Sequence, residues 1–374
     1  MCLSPSKIKY KQLTRIAPSH FYAMVQCPYK VVLAEAFDQR PLIPLSPNTY
    51  IGSVFHKLME KIIKGKISEE NFNEAWESEI KSKENELRHE GITFCLPLKK
   101  HIQNIGLKKI LIKNQLKNSP NTSISKNKHI EILSEKWLQN ENGTIGGMAD
   151  LITKSVNSTS IWDFKTGKLT YNIVDESGEI ISLVKDDYEY QLKLYAQLYF
   201  INYKVYPDYL YLIDMNKKSI KIDFTYEECQ SLYKQAQNLL LEVNSNIQKS
   251  QFSILANCSI SNCRYCLYRP ACSFYHSWLQ TNSQTNDVIG RLINTKHFFN
   301  GNVNITLEVN ERPISIVEIT PSFALEKYKI GDYLGFYGLK HKDENTYSMN
   351  KYSCVYDMIC LLYTSDAADD LIGV

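Results

Sequence analysis

No run of apolar residues in this 374-residue chain is long enough to span a bilayer. Residues Met1–Leu13 hold no apolar core of signal-peptide length, and no Gly-x-x-x-x-Gly-Lys-Ser/Thr loop occurs anywhere. The sequence therefore points away from a membrane protein, a secreted protein and a nucleotide-driven motor. An excess of one charge is also missing. The 43 Lys and Arg against 40 Asp and Glu leave a net charge of +3, which permits a nucleic-acid partner without demanding one. A soluble, cytoplasmic protein is expected. In that reducing compartment the clustered cysteines among the ten read as metal ligands rather than disulfides. The length accommodates one large domain and a small one.

The chain is organised around Gly146-Gly147-Met148-Ala149-Asp150-Leu151-Ile152 and, shortly after, Ser160-Ile161-Trp162-Asp163-Phe164-Lys165-Thr166. Both stretches are rich in β-branched and aromatic residues, and Asn157-Ser158 between them is turn chemistry, so a hairpin is expected. Pairing would bring Asp150 and Asp163 to one end of a sheet, with Lys165 on the strand face of Asp163 because side chains alternate. Close carboxylates repel unless a cation lies between them, so a hard divalent ion, Mg²⁺ or Mn²⁺, is the natural filling.

Upstream, residues 15 to 40 read as a short helical unit, with Ser19 as its N-cap and Cys27-Pro28 closing it. Ile51, Val54, Phe55, Leu58, Met59, Ile62 and Ile63 form a helical stripe, and His56 lies off its centre. A polar helix follows Ser68, and the lysines from Lys99 to Lys117 interleave with apolar residues as one basic amphipathic helix. Pro120–Lys128 reads as a polar loop. His129–Gln139 is a strand whose Glu135 offers either a charge pair with a lysine, the plainer reading, or a further metal carboxylate. On a helix from Tyr188 to Tyr203, Gln191 and Tyr195 stand one above the other. A hairpin over Tyr209–Phe224 turns at Asn216-Lys217-Lys218, and the capping box Thr225–Glu228 starts a long helix.

Cys258-x4-Cys263-x2-Cys266-x5-Cys272 is a dense thiol cluster with two fillings: zinc on these four cysteines, or an iron-sulfur cluster that also recruits the distant Cys27. After a polar linker at Asn282–Asn286, Val303–Leu307, Ile314–Ile319, Tyr333–Leu339 and Tyr347–Tyr356 read as strands of a small β unit. That unit is compatible with an OB-type barrel, with aromatics around Gly335-Phe336-Tyr337-Gly338 free to stack bases.

In order along the chain, Cys27-Pro28-Tyr29-Lys30, Gly52 to His56, Gly147 to Asp150, Asp163-Phe164-Lys165, Gln191-x-x-x-Tyr195 and the late cysteines resemble the PD-(D/E)xK nuclease superfamily. The resemblance is to its RecB-like branch with an iron-sulfur cluster, which includes the AddB nuclease domain and the CRISPR-associated RecB-type exonuclease. It implies a restriction-endonuclease-like α/β core, a mixed sheet flanked by helices, over residues 1–280, with 57–128 as a helical insertion. A small β-rich domain is expected over 300–358. The implied activity is metal-dependent DNA hydrolysis, as an exonuclease serving repair, recombination or CRISPR-type processing; the alternatives are a non-catalytic DNA-binding scaffold of the same fold and a zinc-ribbon DNA-binding protein. The implied metal ligands are His56, Asp150, Asp163 and the Phe164 carbonyl. Lys165, Gln191 and Tyr195 complete the implied site, and Cys27, Cys263, Cys266 and Cys272 would hold a 4Fe-4S cluster, leaving Cys258 spare. DNA with a single-stranded end is the implied partner, alongside a helicase or a CRISPR integrase. The run Cys360–Asp370 resembles the translation of a sequencing adapter, so 360–374 is set aside and the natural chain is expected to continue differently beyond Met358.

Overall fold

Ser155 and Ser158 close the central hairpin: the Ser155 amide donates to the Ser158 carbonyl at 2.8 Å, and the Ser155 hydroxyl accepts from the Ser158 amide at 3.0 Å. The strands that this turn joins organise one of two compact units in the computed structural model, which describes residues 8–116, 130–174, 177–215, 218–282, 285–323 and 325–358. The first unit comprises Thr14–Val25 and Ser46–Glu242; the second comprises Met1–Leu13, Gln26–Leu45 and Val243–Val374. The segments 26–45 and 243–280 thus group with the C-terminal strands. Pro120–Lys128, Asn216-Lys217 and residues 360–374, read above as loop, turn and adapter, lie outside the described residues.

In the first unit a five-stranded mixed sheet runs β1 (Glu131–Gln139), β2 (Gly146–Lys154), β3 (Thr159–Lys165), β6 (Tyr209–Asp214), β7 (Ser219–Ile222). Strands β1 to β3 form an antiparallel meander, while β3 and β6 are parallel. A parallel pair needs a crossover, and the helix Asp186–Tyr203 supplies it. That helix buries Leu192, Leu194, Tyr195, Leu198 and Tyr199, together with Lys193, whose ammonium is paired with Glu189 at 2.7 Å and Glu228 at 3.2 Å. The expected stripe forms on the helix Pro47–Ile63, where Phe55 meets the Phe164 ring edge-on with centroids 6.3 Å apart. Ser46 caps this helix, accepting from the Asn48 amide.

Two local readings need correction, and one element was not anticipated. Helix Pro18–Gln26 already contains Ser19, so Ser19 is not its cap. The single basic helix is two, Leu98–His101 and Ile105–Gln115, because Asn104 between them adopts a left-handed φ of 52°. A β-ribbon of β4 (Thr170–Val174) and β5 (Ile180–Val184) leaves the chain directly after Lys165.

The second unit carries β8 (Val288–His297), β9 (Val303–Val309), β10 (Arg312–Ile319), β11 (Tyr333–Tyr337), β12 (Lys340–Asp343), β13 (Thr346–Ser348) and β14 (Cys354–Asp357). Strand β8 pairs with β9 and β11, β9 with β10, β10 with β13 in parallel, and β13 with β12. Because β11 and β12 are the halves of one bent strand broken at Gly338-Leu339, five strands close on themselves around Leu292, Ile305, Leu307, Ile316, Leu334 and Phe336. Sequence reading missed β8 and fused β13 with β14. Phe336 and Tyr337 are buried, and Tyr337 Oη lies 3.1 Å from His276 Nε2, so these aromatics cannot stack bases.

A buried ion pair holds the start of β8. Asp287 accepts from Arg269 Nε at 2.5 Å and Nη2 at 3.1 Å, from the Tyr275 hydroxyl at 2.7 Å and from the Gly338 amide at 2.8 Å. Arg269 also donates to the Cys266 carbonyl at 2.8 Å. Among the described residues, no helix is long and apolar enough to cross a membrane.

Candidate active site

The meander delivers two carboxylates to one place. Asp150 on β2 accepts from the Phe164 amide of β3 at 2.8 Å, and the His56 ring brings Nδ1 to 3.5 Å from Asp150 Oδ2. Glu135 completes the cluster. The pairing of β1 with β2 runs in register on both sides of Glu135, but Glu135 itself takes a left-handed φ of 52° in mid-strand. A side chain other than glycine in that region is strained, and such strain concentrates at functional positions. It leaves ligand atoms of His56, Glu135 and Asp150 all within 4.8 Å of one another. Glu135 is therefore a carboxylate of the site, and of its two sequence readings the metal carboxylate is the one its position favours.

Asp163 stands beside this group and is hydrogen-bonded to its neighbours on the other side. Lys165 Nζ is 2.7 Å from one Asp163 oxygen, Gln191 Nε2 donates to the other at 2.8 Å, and Lys165 donates to Gln191 Oε1 at 2.9 Å. The three side chains close a ring, and the Tyr188 ring lies 4.7 Å from the Lys165 ammonium. Tyr195, one turn after Gln191, donates to the Met148 carbonyl at 2.7 Å. That approach explains Gly147, where a Cβ would fall 2.9 Å from the Tyr195 hydroxyl and 2.9 Å from Pro18 Cδ.

Burial sets the protonation of the group. It raises the Asp150 carboxyl well above the usual range, and the neighbouring Asp163 pushes the same way. Asp163 is also raised by burial, against the pull of Lys165. Burial, then Glu60, raises Glu135. His56 moves the other way: burial lowers its pKa, leaving a neutral imidazole able to act as a ligand at pH 7. Carboxyls that resist ionisation when crowded and dry, next to a neutral imidazole, form a donor set that fits a hard divalent cation. The candidate residues from sequence thus lie together, with Asp163 turned toward Lys165 and Gln191. Glu135 was the one whose role only its left-handed backbone in mid-strand decides.

The second unit holds five thiols in one pocket. Cys263, Cys266 and Cys272 are buried; Cys27 and Cys258 are half-buried. Cys258 lies beside both Cys263 and Cys272; Cys263 lowers its pKa, but Cys272 and burial carry it up to about 12. Cys27 adds to the negative field felt by Cys258 and Cys266. It is held by the Asn257 amide, 3.5 Å from its sulfur, at the start of the helix Pro28–Ala36. The amides of Leu42 and Ile43 both donate to the Leu267 carbonyl at 3.1 Å, fixing the cysteine loop from the N-terminal side.

No curated protein matches the sequence. Among solved structures, the tetrameric p202 HIN2 aligns at 12% identity and a TM-score of 0.17 over 21% of this chain, which spans 45% of that one. A protein of Eubacterium rectale, named as a provisional exonuclease, aligns at 9% identity and a TM-score of 0.40, over 62% of this chain and 82% of its own. The sequence matches the family model of the PD-(D/E)XK nuclease superfamily over residues 15–273, a span that takes in the mixed sheet, the carboxylate group and the thiol-rich segment. With its α/β core of helices flanking that sheet, the chain belongs to the PD-(D/E)XK nuclease superfamily.

Proposed function

We propose that the protein is a divalent-metal-dependent deoxyribonuclease, acting as an exonuclease on DNA with a single-stranded end, in the RecB-like branch that holds an iron-sulfur cluster. The observation that carries this reading is the juxtaposition of His56, Glu135 and Asp150, with donor atoms within 4.8 Å, and the Asp163–Lys165–Gln191 ring beside them. His56, Glu135, Asp150, Asp163 and the Phe164 carbonyl are the groups that would hold Mg²⁺ or Mn²⁺, which when bound supplies a water of lowered pKa and shields the phosphodiester from the carboxylates. Lys165, kept extended by Asp163 and Gln191, presents its ammonium to the charge that develops on the phosphate. Gln191 fixes the Lys165 rotamer. Tyr195 acts one step further back, holding the β2 backbone at Met148 and thereby the placement of Asp150.

Cys27, Cys263, Cys266 and Cys272 would hold a 4Fe-4S cluster, which supplies cross-linking of the helix Pro28–Ala36 to the cysteine loop. The proximity of Cys27 to Cys258 and Cys266 supports this filling over zinc on Cys258, Cys263, Cys266 and Cys272, a set that leaves Cys27 out. The expected setting is repair, recombination or CRISPR-type processing, next to a helicase or integrase that generates or uses DNA ends.

Digestion of end-labelled single- and double-stranded DNA with Mg²⁺ or Mn²⁺ tests the reading. Lys165→Ala should lose on the order of a hundred-fold or more in rate, with an unchanged circular dichroism spectrum. Cleavage by that variant at the unmutated rate would reject the assignment.

A further inference from the structure

We infer that the five-strand barrel of the second unit carries its own site for single-stranded nucleic acid, at the hairpin joining β8 to β9, with Phe299 as the base-stacking side chain. The closed order β8-β9-β10-β13-β12/β11 is the connectivity of an OB-type barrel. In that fold, the loop between the first two strands and the adjacent strand face take oligonucleotides. Here that loop follows Lys296 and His297 and presents Phe298 and Phe299; Phe299 is fully exposed, and Lys296 Nζ lies 5.3 Å from the Phe298 ring. On this hairpin Phe298 is partly covered and Phe299 is fully exposed, and an exposed ring near an ammonium suits a base with its phosphate.

Charge supports the same occupant. From Val288 to Leu307 there is no carboxylate, whereas Arg291, Lys296 and His297 are all exposed. The register sets Lys296 opposite Asn304 and Asn294 opposite Thr306, so the sheet face leading from the hairpin offers amides and a hydroxyl for hydrogen bonding. A groove of about 490 Å³ beside β8 is lined by Leu292, Asn294, Thr295, His297 and Tyr328, with one carboxylate, Glu326. The barrel is thereby a second DNA-holding element, outside the carboxylate group and independent of cleavage.

The test uses the full chain in EDTA, with a fluorescein-labelled single-stranded oligothymidylate of ~20 nucleotides, long enough for the ~4–16 that one such barrel covers. Phe299→Ala should weaken binding by on the order of ten-fold, and Lys296→Ala should reduce the salt slope by about 0.7. Phe299→Trp should retain affinity, with its indole emission quenched by the single strand and not by the corresponding duplex. Because Phe299 is fully exposed, these changes remove no core packing. Phe299→Ala binding like the unmutated protein, with no quenching of the tryptophan, overturns the inference and leaves the hairpin to a protein partner. Cleavage with Mn²⁺ is scored separately: absence of cleavage with Phe299-dependent binding rejects the nuclease reading and leaves this one standing.

Discussion

The carboxylate group and the thiol pocket solve one problem in opposite ways. Both gather ionisable side chains from distant sequence positions into buried space, where burial favours the protonated form of Asp150 and Asp163 in one and of Cys266 in the other. In the first, protein partners already satisfy much of the site: Asp163 has Lys165 and Gln191, and Asp150 has the Phe164 amide. In the second, the thiols have chiefly one another and a few backbone amides. A site satisfied by its own protein stays built when its ion leaves, whereas a site satisfied by a cofactor is part of the fold only when filled.

Three experiments bear on that contrast. The largest effect is expected from Cys27→Ala, which should abolish absorbance near ~400 nm and lower the melting temperature far more than Lys165→Ala does. Cys258→Ser should preserve the colour. A colourless unmutated protein with bound zinc, lost in Cys258→Ser, would erase the contrast as drawn. Next, Glu135→Ala should raise the Mn²⁺ concentration for half-maximal cleavage by about ten- to a hundred-fold, the range seen when a group supporting a metal site is removed. Isothermal titration in the cleavage-deficient Lys165→Ala background separates that loss from any effect on rate.

The smallest effect is on pH dependence. A carboxyl whose folded pKa is raised, as at Asp150, contributes stability that is complete below its unfolded value of about 4 and is lost as pH rises through the folded value. A cation must displace that proton, so it binds more tightly as pH rises, and the lowered pKa of His56 favours the neutral, ligating imidazole. Thermal stabilisation by Mn²⁺ should therefore be greater at pH 8 than at pH 5.5. Equal stabilisation at the two values would mean that burial does not control the site.

Much of this was legible in the sequence because it is written in short-range periodicity. Alternation announced β2 and β3, four-residue spacing put Gln191 above Tyr195, and the Thr225–Glu228 box forms with bonds of 2.8 and 3.2 Å. What escaped depends on a backbone exception or on distance. Glu135 joins the cluster through one left-handed residue in mid-strand, which no alternation rule anticipates. Another such residue, Asn104, divides the basic helix. Strand β8 was hidden by Gly290 and the polar run Asn294-Thr295-Lys296-His297, and its register shifts between Leu292 and Asn294. No local spacing shows that Cys27 meets thiols some 230 positions later; the cysteine pattern signals metal, and only the fold brings the sulfurs together.

The Arg269–Asp287 pair also bears on where this chain can be cut. A fragment ending at Gln280 would keep every candidate catalytic and thiol residue, yet its Arg269 guanidinium would be left without Asp287, the carboxylate it was buried against. Losing one partner of a buried pair costs about 3–5 kcal/mol, a large share of the roughly 5–15 kcal/mol that holds an ordinary domain folded. Asp287 in turn uses the Gly338 amide. The smallest autonomous piece of the thiol-bearing unit therefore extends past the family-matched span and through the turn at Gly338, and expression trials cut at the end of that span should yield insoluble protein.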